Sequence, residues 1–271
     1  MPPGRLLKEH AAPGFALQKS IGTGLPAFDT VRCLSWAMQK AFSDGRQKID
    51  LETWERREVF NFFKDFTEPY HGVCLRVECT ATYRYAKDRG LSVSLSLAHR
   101  ALAAAQEIEE FHTRIVAGEV WRYERIHGGS AVGRPNGTIG FAHFGFHEGI
   151  DDFVRAAAPE VERVRQRTDI ERYPEPNLIR FSTLPWLDFT SISHARNFAR
   201  EDSAPRITFG KITEADGRRT MPVSIHAHHA LADGLQVAQL VERFQNLLNT
   251  PDASSGAGGD CGNDGNASVR G

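Results

Sequence analysis

Apolar and polar positions follow two periods along this chain, and the changes of period mark the elements. In 53–66, Val59, Phe62, Phe63 and Phe66 fall at i, i+3, i+4 and i+7, which predicts a helix. Residues 73–85 are rich in β-branched and aromatic side chains, with Leu75, Val77 and Cys79 alternating, which predicts a strand. The Leu- and Ala-rich stretch 92–108 reads as a second helix and 119–126 as extended. Residues 127–140, HGGSAVGRPNGTIG, read as a glycine-rich connection leading into 141–147. A third helix is expected at 150–168, strands at 177–184, 206–213 and 221–229, and a fourth helix at 235–248 with Val237, Ala238, Val241, Phe244 and Leu248 as its stripe. Strands and helices alternating around turns such as Ala215-Asp216-Gly217 give an α/β sandwich.

Composition divides the chain into three zones. Residues 1–48 are punctuated by Pro and Gly around a possible amphipathic stretch at 27–42, and read as an N-terminal extension of unknown role. Residues 49–248 carry the alternating pattern. Residues 249–271 are rich in Gly, Asp, Asn and Ser without large apolar side chains, and predict a disordered tail. Lys and Arg number 33 against 34 Asp and Glu, for a net charge of −1, which argues against a nucleic-acid binder working by overall charge. No apolar run is long enough for a transmembrane helix, and the N-terminus has no continuous apolar region of the secretory kind. The four cysteines, Cys33, Cys74, Cys79 and Cys261, form no C-x-x-C pair, so neither a disulfide framework nor a thiolate zinc site is expected, and a reducing cytoplasm is the default. The glycine-rich stretch lacks the phosphate-loop spacings and runs into no helix.

Candidate chemistry gathers at residues 224–234, SIHAHHALADG. In a strand, Val223, Ile225, Ala227 and His229 share one face, and Ser224, His226 and His228 share the other. His229 therefore ends an apolar row where the strand gives way to a turn. A neutral imidazole shielded from water on a rigid strand end suits a general base near neutral pH. A lone histidine after apolar residues is more often a satisfied core group, whereas the whole H-H-x-x-x-D-G pattern would arise by chance on the order of once in a thousand chains of this length. A metal reading of His226, His228 and His229 is open on ligand type, although His229 points to the opposite face and no further ligand is evident. Arg56 falls inside the apolar arc of the first helix. A guanidinium there either finds a buried carboxylate, for which Asp233 is the candidate, or runs out along its stem to water. An Arg56–Asp233 ion pair is the expectation.

With these residues in place, the chain over about 49–248 resembles the chloramphenicol acetyltransferases. The resemblance is carried by Trp54-Glu-Arg56-Arg-Glu-Val-Phe60-Asn-Phe62-Phe63, Phe181-Ser182-Thr-Leu-Pro185-Trp186-Leu-Asp-Phe189, Ala204-Pro205-Arg-Ile-Thr208-Phe-Gly210-Lys211 and His228-His229-Ala-Leu-Ala-Asp233-Gly234, in the family's order. The last motif alone also resembles peptide-synthetase condensation domains, which need about twice this length, and dihydrolipoamide acyltransferases, which usually carry lipoyl and linker segments. The resemblance implies a two-layer α/β sandwich with a mixed sheet, assembled as a homotrimer with each active site at a subunit interface. It implies acetyl-CoA as co-substrate, no permanently bound cofactor, and a small hydroxyl-bearing acceptor, chloramphenicol first among them.

Carried over residue by residue, the resemblance makes His229 the base and Ser182 the hydroxyl donor to the tetrahedral oxyanion. Thr208 would help bind the transition state, and Asp233 and Arg56 would be the ion pair that holds the site. Lys211 would lie near the CoA phosphates, unless it is simply a solvated lysine. Phe62 and Phe63 would line the acceptor pocket, Phe63 standing where the family usually has Tyr. His194 and Arg196 occupy two positions where the family's lining is usually apolar. If they face the pocket, acceptor preference shifts toward something more polar or anionic than chloramphenicol. The alternatives are the same chemistry on another small alcohol, or a catalytically silent trimeric relative acting as a binding protein.

Overall fold

A computed structural model describes residues 45–251, except 172, 174, 198 and 199. The described residues lie in one compact unit. The expectations for 27–42 and for the tail from 252 onward fall outside the described residues.

The strands are β1 (Arg46–Lys48), β2 (Tyr70–Glu78), β3 (Thr113–Val116), β4 (Glu119–Tyr123), β5 (His127–Gly133), β6 (Ile139–Phe144), β7 (Leu178–Thr183), β8 (Arg206–Phe209), β9 (Thr213–Ala215) and β10 (Arg218–His228). The helices are α1 (Arg57–Phe63), α2 (Thr80–Asp88), α3 (Val93–Gln106), α4 (Ile150–Gln166) and α5 (Gly234–Asn249). The main sheet runs β2-β10-β8-β7-β5-β6, with β9 paired to β10. It is mixed: β7 lies parallel to β5 and β8, and the other pairs are antiparallel. A small antiparallel sheet, β1-β4-β3, stands beside it, so the folded domain begins at least three residues before Ile49.

One face of the main sheet makes the core. Val223, Ile225 and Ala227 of β10, Ile207 and Phe209 of β8, and Phe181 of β7 pack against Leu97, Ala98 and Leu102 of α3, Phe153 and Val154 of α4, and Val237, Leu240 and Phe244 of α5. That is the two-layer α/β sandwich. The other face is polar at its centre. Register puts Ser182 of β7 beside Thr208 of β8, and Thr208 beside Ser224 of β10. The described residues of 184–197 fold over this outer face, tied down by amide bonds from Leu184 to the Phe209 carbonyl and from Lys211 to the Leu187 carbonyl. Among the described residues, no helix is long and apolar enough to cross a membrane.

Two expected elements differ. The strand foreseen over 73–85 stops at Glu78, and Thr80 opens α2. The β-branched and tyrosine-rich composition suggested strand, but Thr82 and Ala86, four apart, are the buried pair. Thr82 Oγ1 donates to the Leu248 carbonyl at 2.7 Å, so tertiary packing overrides local propensity. The glycine-rich stretch at 127–140 is not a connection but the hairpin β5–β6, turned at Gly137 with φ +80°. Its glycines serve close approach: a Cβ on Gly128 would collide with the Phe144 ring.

Candidate functional site

β10 ends at His228, so His229 is the first residue of the turn into α5 rather than the last of the strand. Its amide still donates to the Pro69 carbonyl at 2.8 Å, continuing the ladder by one bond. His228 is the more buried of the two, 5% exposed, packed edge-on against Tyr70. Its Nδ1 accepts from the Ala230 amide at 3.3 Å, which holds the turn. Burial pulls the His228 ring down to about 4, so it is neutral there. His229, by contrast, is partly exposed, and its shelter comes from neighbours rather than from the sheet. The Phe63 ring stacks flat on it at 4.0 Å and 5°, and His71 leans against it at 4.5 Å.

Arg56 precedes the first turn of α1 and reaches the same place. Its Nη1 donates to Asp233 Oδ2 at 3.0 Å, its Nη2 to the His229 carbonyl at 3.3 Å, and its Nε to the Ala230 carbonyl at 3.5 Å. The other oxygen of Asp233 accepts from the Leu235 amide at 3.0 Å, and Gln236 Oε1 accepts from the Asp233 amide, forming a capping box on α5. Partial desolvation pushes the Asp233 carboxyl up, but the Leu235 amide and the guanidinium outweigh it and hold the group below the ordinary range. One carboxylate thus starts the helix that follows His229 and pins the arginine that grips the His229 carbonyl.

Sequence reasoning passed over His71. It lies opposite Ala227 in the β2–β10 ladder, hence on the His229 side of the sheet. Its Nε2 sits 3.1 Å from the Ala232 carbonyl, a contact that requires the proton on Nε2. Burial, with the neighbouring His229, lowers its pKa. The only signal in sequence was a histidine on the strand that pairs with the H-H motif.

The remaining candidates lie elsewhere. Ser182, partly exposed, and Thr208, buried beneath the covering segment, point to the outer face rather than to the Ala227 side. Thr208 Oγ1 is 3.4 Å from His194 Nε2, and the His194 ring meets His226 edge-on at 4.9 Å. His226 therefore joins the hydroxyl row instead of merely facing away. Arg196 forms an ion pair with Glu68 and stacks over the Tyr70 ring at 3.7 Å. Phe62 is 64% exposed, touching Phe63 edge-on. Lys211 is exposed just after β8, its amide bonded to the Leu187 carbonyl of the covering segment. Among the described residues, no three His, Cys, Asp or Glu side chains are grouped to hold a metal ion.

A family model described as chloramphenicol acetyltransferase matches residues 45–245. The chain belongs to the chloramphenicol acetyltransferase family. Similar relatives include the chloramphenicol acetyltransferases of Streptomyces acrimycini, 28% identical over 75% of this chain and 94% of that one, and of Bacillus pumilus, 26% identical over 74% and 93%. A solved chloramphenicol acetyltransferase is 31% identical with a TM-score of 0.69, covering 75% of this chain and all of that one. The catalytic core of a 2-oxoacid dehydrogenase complex from Thermoplasma acidophilum, 17% identical with a TM-score of 0.52, covers 76% of this chain and all of that one and shares the fold. Within the chloramphenicol acetyltransferase family the chain is an acyltransferase, and its imidazole and its row of hydroxyls lie on opposite faces of one sheet.

Proposed function

We propose that this acyltransferase moves the acetyl group of acetyl-CoA onto a hydroxyl of a small acceptor alcohol, with chloramphenicol the first acceptor to test, in a homotrimer. The separation of His229 from Ser182 carries this reading. His71, which touches His229, shares the Ala227 face, whereas Ser182 and Thr208 share the Ser224 face. A single copy therefore cannot bring its own base and its own oxyanion donor to one reacting carbon. The base end of one copy set against the outer face of the next closes the site, and cyclic repetition of such a head-to-tail contact gives a ring.

In that site His229 takes the proton of the acceptor hydroxyl as its oxygen attacks the thioester carbonyl. The tetrahedral oxyanion accepts a hydrogen bond from Ser182 Oγ of the neighbouring copy, with Thr208 supporting the same region. Collapse breaks the carbon–sulfur bond, and the departing CoA thiolate recovers the proton from His229, leaving no covalent enzyme intermediate. Lys211 lies on the exposed side, where the CoA phosphates would pass.

The test is thiol release from acetyl-CoA in the presence of chloramphenicol. His229→Ala should lose about 10²–10⁴-fold in kcat, the usual worth of a general base, with its circular dichroism unchanged. Undiminished release in the variant would remove His229 from the chemistry. Silence of the wild type across a panel of alcohols would leave a binding protein instead.

A further inference from the structure

The outer face carries a paired-imidazole feature for which the transfer step itself has no use. His226 is seated deliberately: a Cβ on Gly72, its partner across the β2–β10 ladder, would collide with its ring, so glycine there lets the imidazole lie against β2. His226 Nδ1 is 3.1 Å from Ser224 Oγ, and His194 Nε2 is 3.4 Å from Thr208 Oγ1. The two rings meet edge-to-face at 4.9 Å and 85°. Each ring thus spends one nitrogen on the hydroxyl row next to Ser182. Among the described residues, no hydrogen bond engages His194 Nδ1 or His226 Nε2.

Each arginine beside the two rings has a carboxylate within ion-pair distance. Arg196 pairs with Glu68 and lies on Tyr70, while Arg180 and Arg206 share Asp202 at 2.7 and 2.6 Å. Burial and then the neighbouring His226 draw His194 down to about 4, and burial with Arg206 lowers His226, so both rings are uncharged at neutral pH. A carboxylate or phosphate set beside the rings would have to compete with Glu68 or Asp202 for these arginines, and an apolar group pressed there would strand two imidazole nitrogens. A hydroxyl, which donates and accepts, satisfies either tautomer.

Resting on the reading of this face as the acceptor side, we propose that His194 and His226 recognise an uncharged polyhydroxy acceptor, one of whose hydroxyls is acetylated while others bond the free imidazole nitrogens. This narrows the polar-or-anionic preference foreseen from His194 and Arg196 to the uncharged class, because Arg196 is spent on Glu68.

The experiment follows the side-chain nitrogen resonances of ¹⁵N-histidine-labelled protein during titration with sorbitol, methyl glucoside and glycerol 3-phosphate. The two uncharged polyols should shift His194 and His226 while glycerol 3-phosphate does not. His194→Leu should weaken polyol binding about tenfold, as loss of one such hydrogen bond implies, and His226→Gln, which keeps a polar group, should weaken it less. If neither polyol moves these resonances, if glycerol 3-phosphate binds better, or if His194→Leu binds polyols unchanged, the proposal is overturned. Repeating the titration on His229→Ala separates it from the catalytic reading. Polyol shifts in a protein silent in thiol release would refute the transfer and keep the recognition. Acetylation of chloramphenicol with no imidazole response would do the reverse.

Discussion

At the base end, a turn of five residues, one arginine and one helix cap set the position of His229. On the outer face, sheet register brings Ser182, Thr208 and Ser224 together from three strands, and the covering segment adds His194. The first arrangement is redundant: besides Arg56, Asp233 is tied to Leu235 and Gln236 in the cap of α5, and His228 holds the turn. The second has no such redundancy, because a hydroxyl in the row is placed only by the strand that bears it. The position of His229 is thus set by several groups at once, whereas the hydroxyl row of Ser182, Thr208 and Ser224 depends on the order β10-β8-β7 staying intact.

The sharpest way to break this comparison is to disable each end in a different copy. Ser182→Ala alone should lose about 10²–10³-fold in kcat, with no change in melting temperature. Mixed trimers of Ser182→Ala with His229→Ala should regain roughly a quarter of the wild-type rate if each site draws one half from each of two copies. Mixtures that stay inactive after unfolding and co-refolding would show that base and donor act within one chain. Arg56→Met should be the next largest change. The pair is partly exposed, 13% at Arg56 and 37% at Asp233, so the stability loss in urea should lie between the surface and buried limits, about 1–3 kcal/mol. The carbonyls of His229 and Ala230 also lose their donor, so kcat should fall as well. An Arg56→Met enzyme with full kcat would mean that the turn holds its own base.

Acid sharpens the contrast more gently. His99 and His228 titrate near 4 in the fold, mainly through burial, against an ordinary 6.5 in the open chain. Between those values the unfolded chain holds the extra protons. Stability should therefore be level above about pH 6.5 and decline as the pH falls toward 4, by at most about 1.4 kcal/mol per pH unit for each ring. A melting temperature that stays level from pH 7 to 4 would contradict the buried neutral rings.

Much of the base end could be read from the chain, because the H-H-x-x-x-D-G run is contiguous and Arg56 sits at a fixed spacing from Phe60 and Phe63. The helices over 93–106, 150–166 and 234–249 were legible, the first from its Leu and Ala content and the last from its apolar stripe. Residues 79–85 were not, since Thr and Tyr favour strands until Leu248 offers Thr82 a carbonyl. Nor was β5, because glycine-rich sequence resembles a loop until Phe144 lies across it. The pairing of His194 with Thr208 and His226 depends on where the covering segment lands, and no local pattern encodes that landing.

The bond from Arg56 to Asp233 spans 177 residues of sequence. In folding terms it is one of the chain's longest-range closures, and long-range contacts are costly to form early. During synthesis the turn that carries His229 cannot be gripped until Asp233 has left the ribosome, so a chain cut short between His229 and Asp233 holds every strand but lacks that ion pair. Activity, on this view, is among the last properties the nascent molecule acquires.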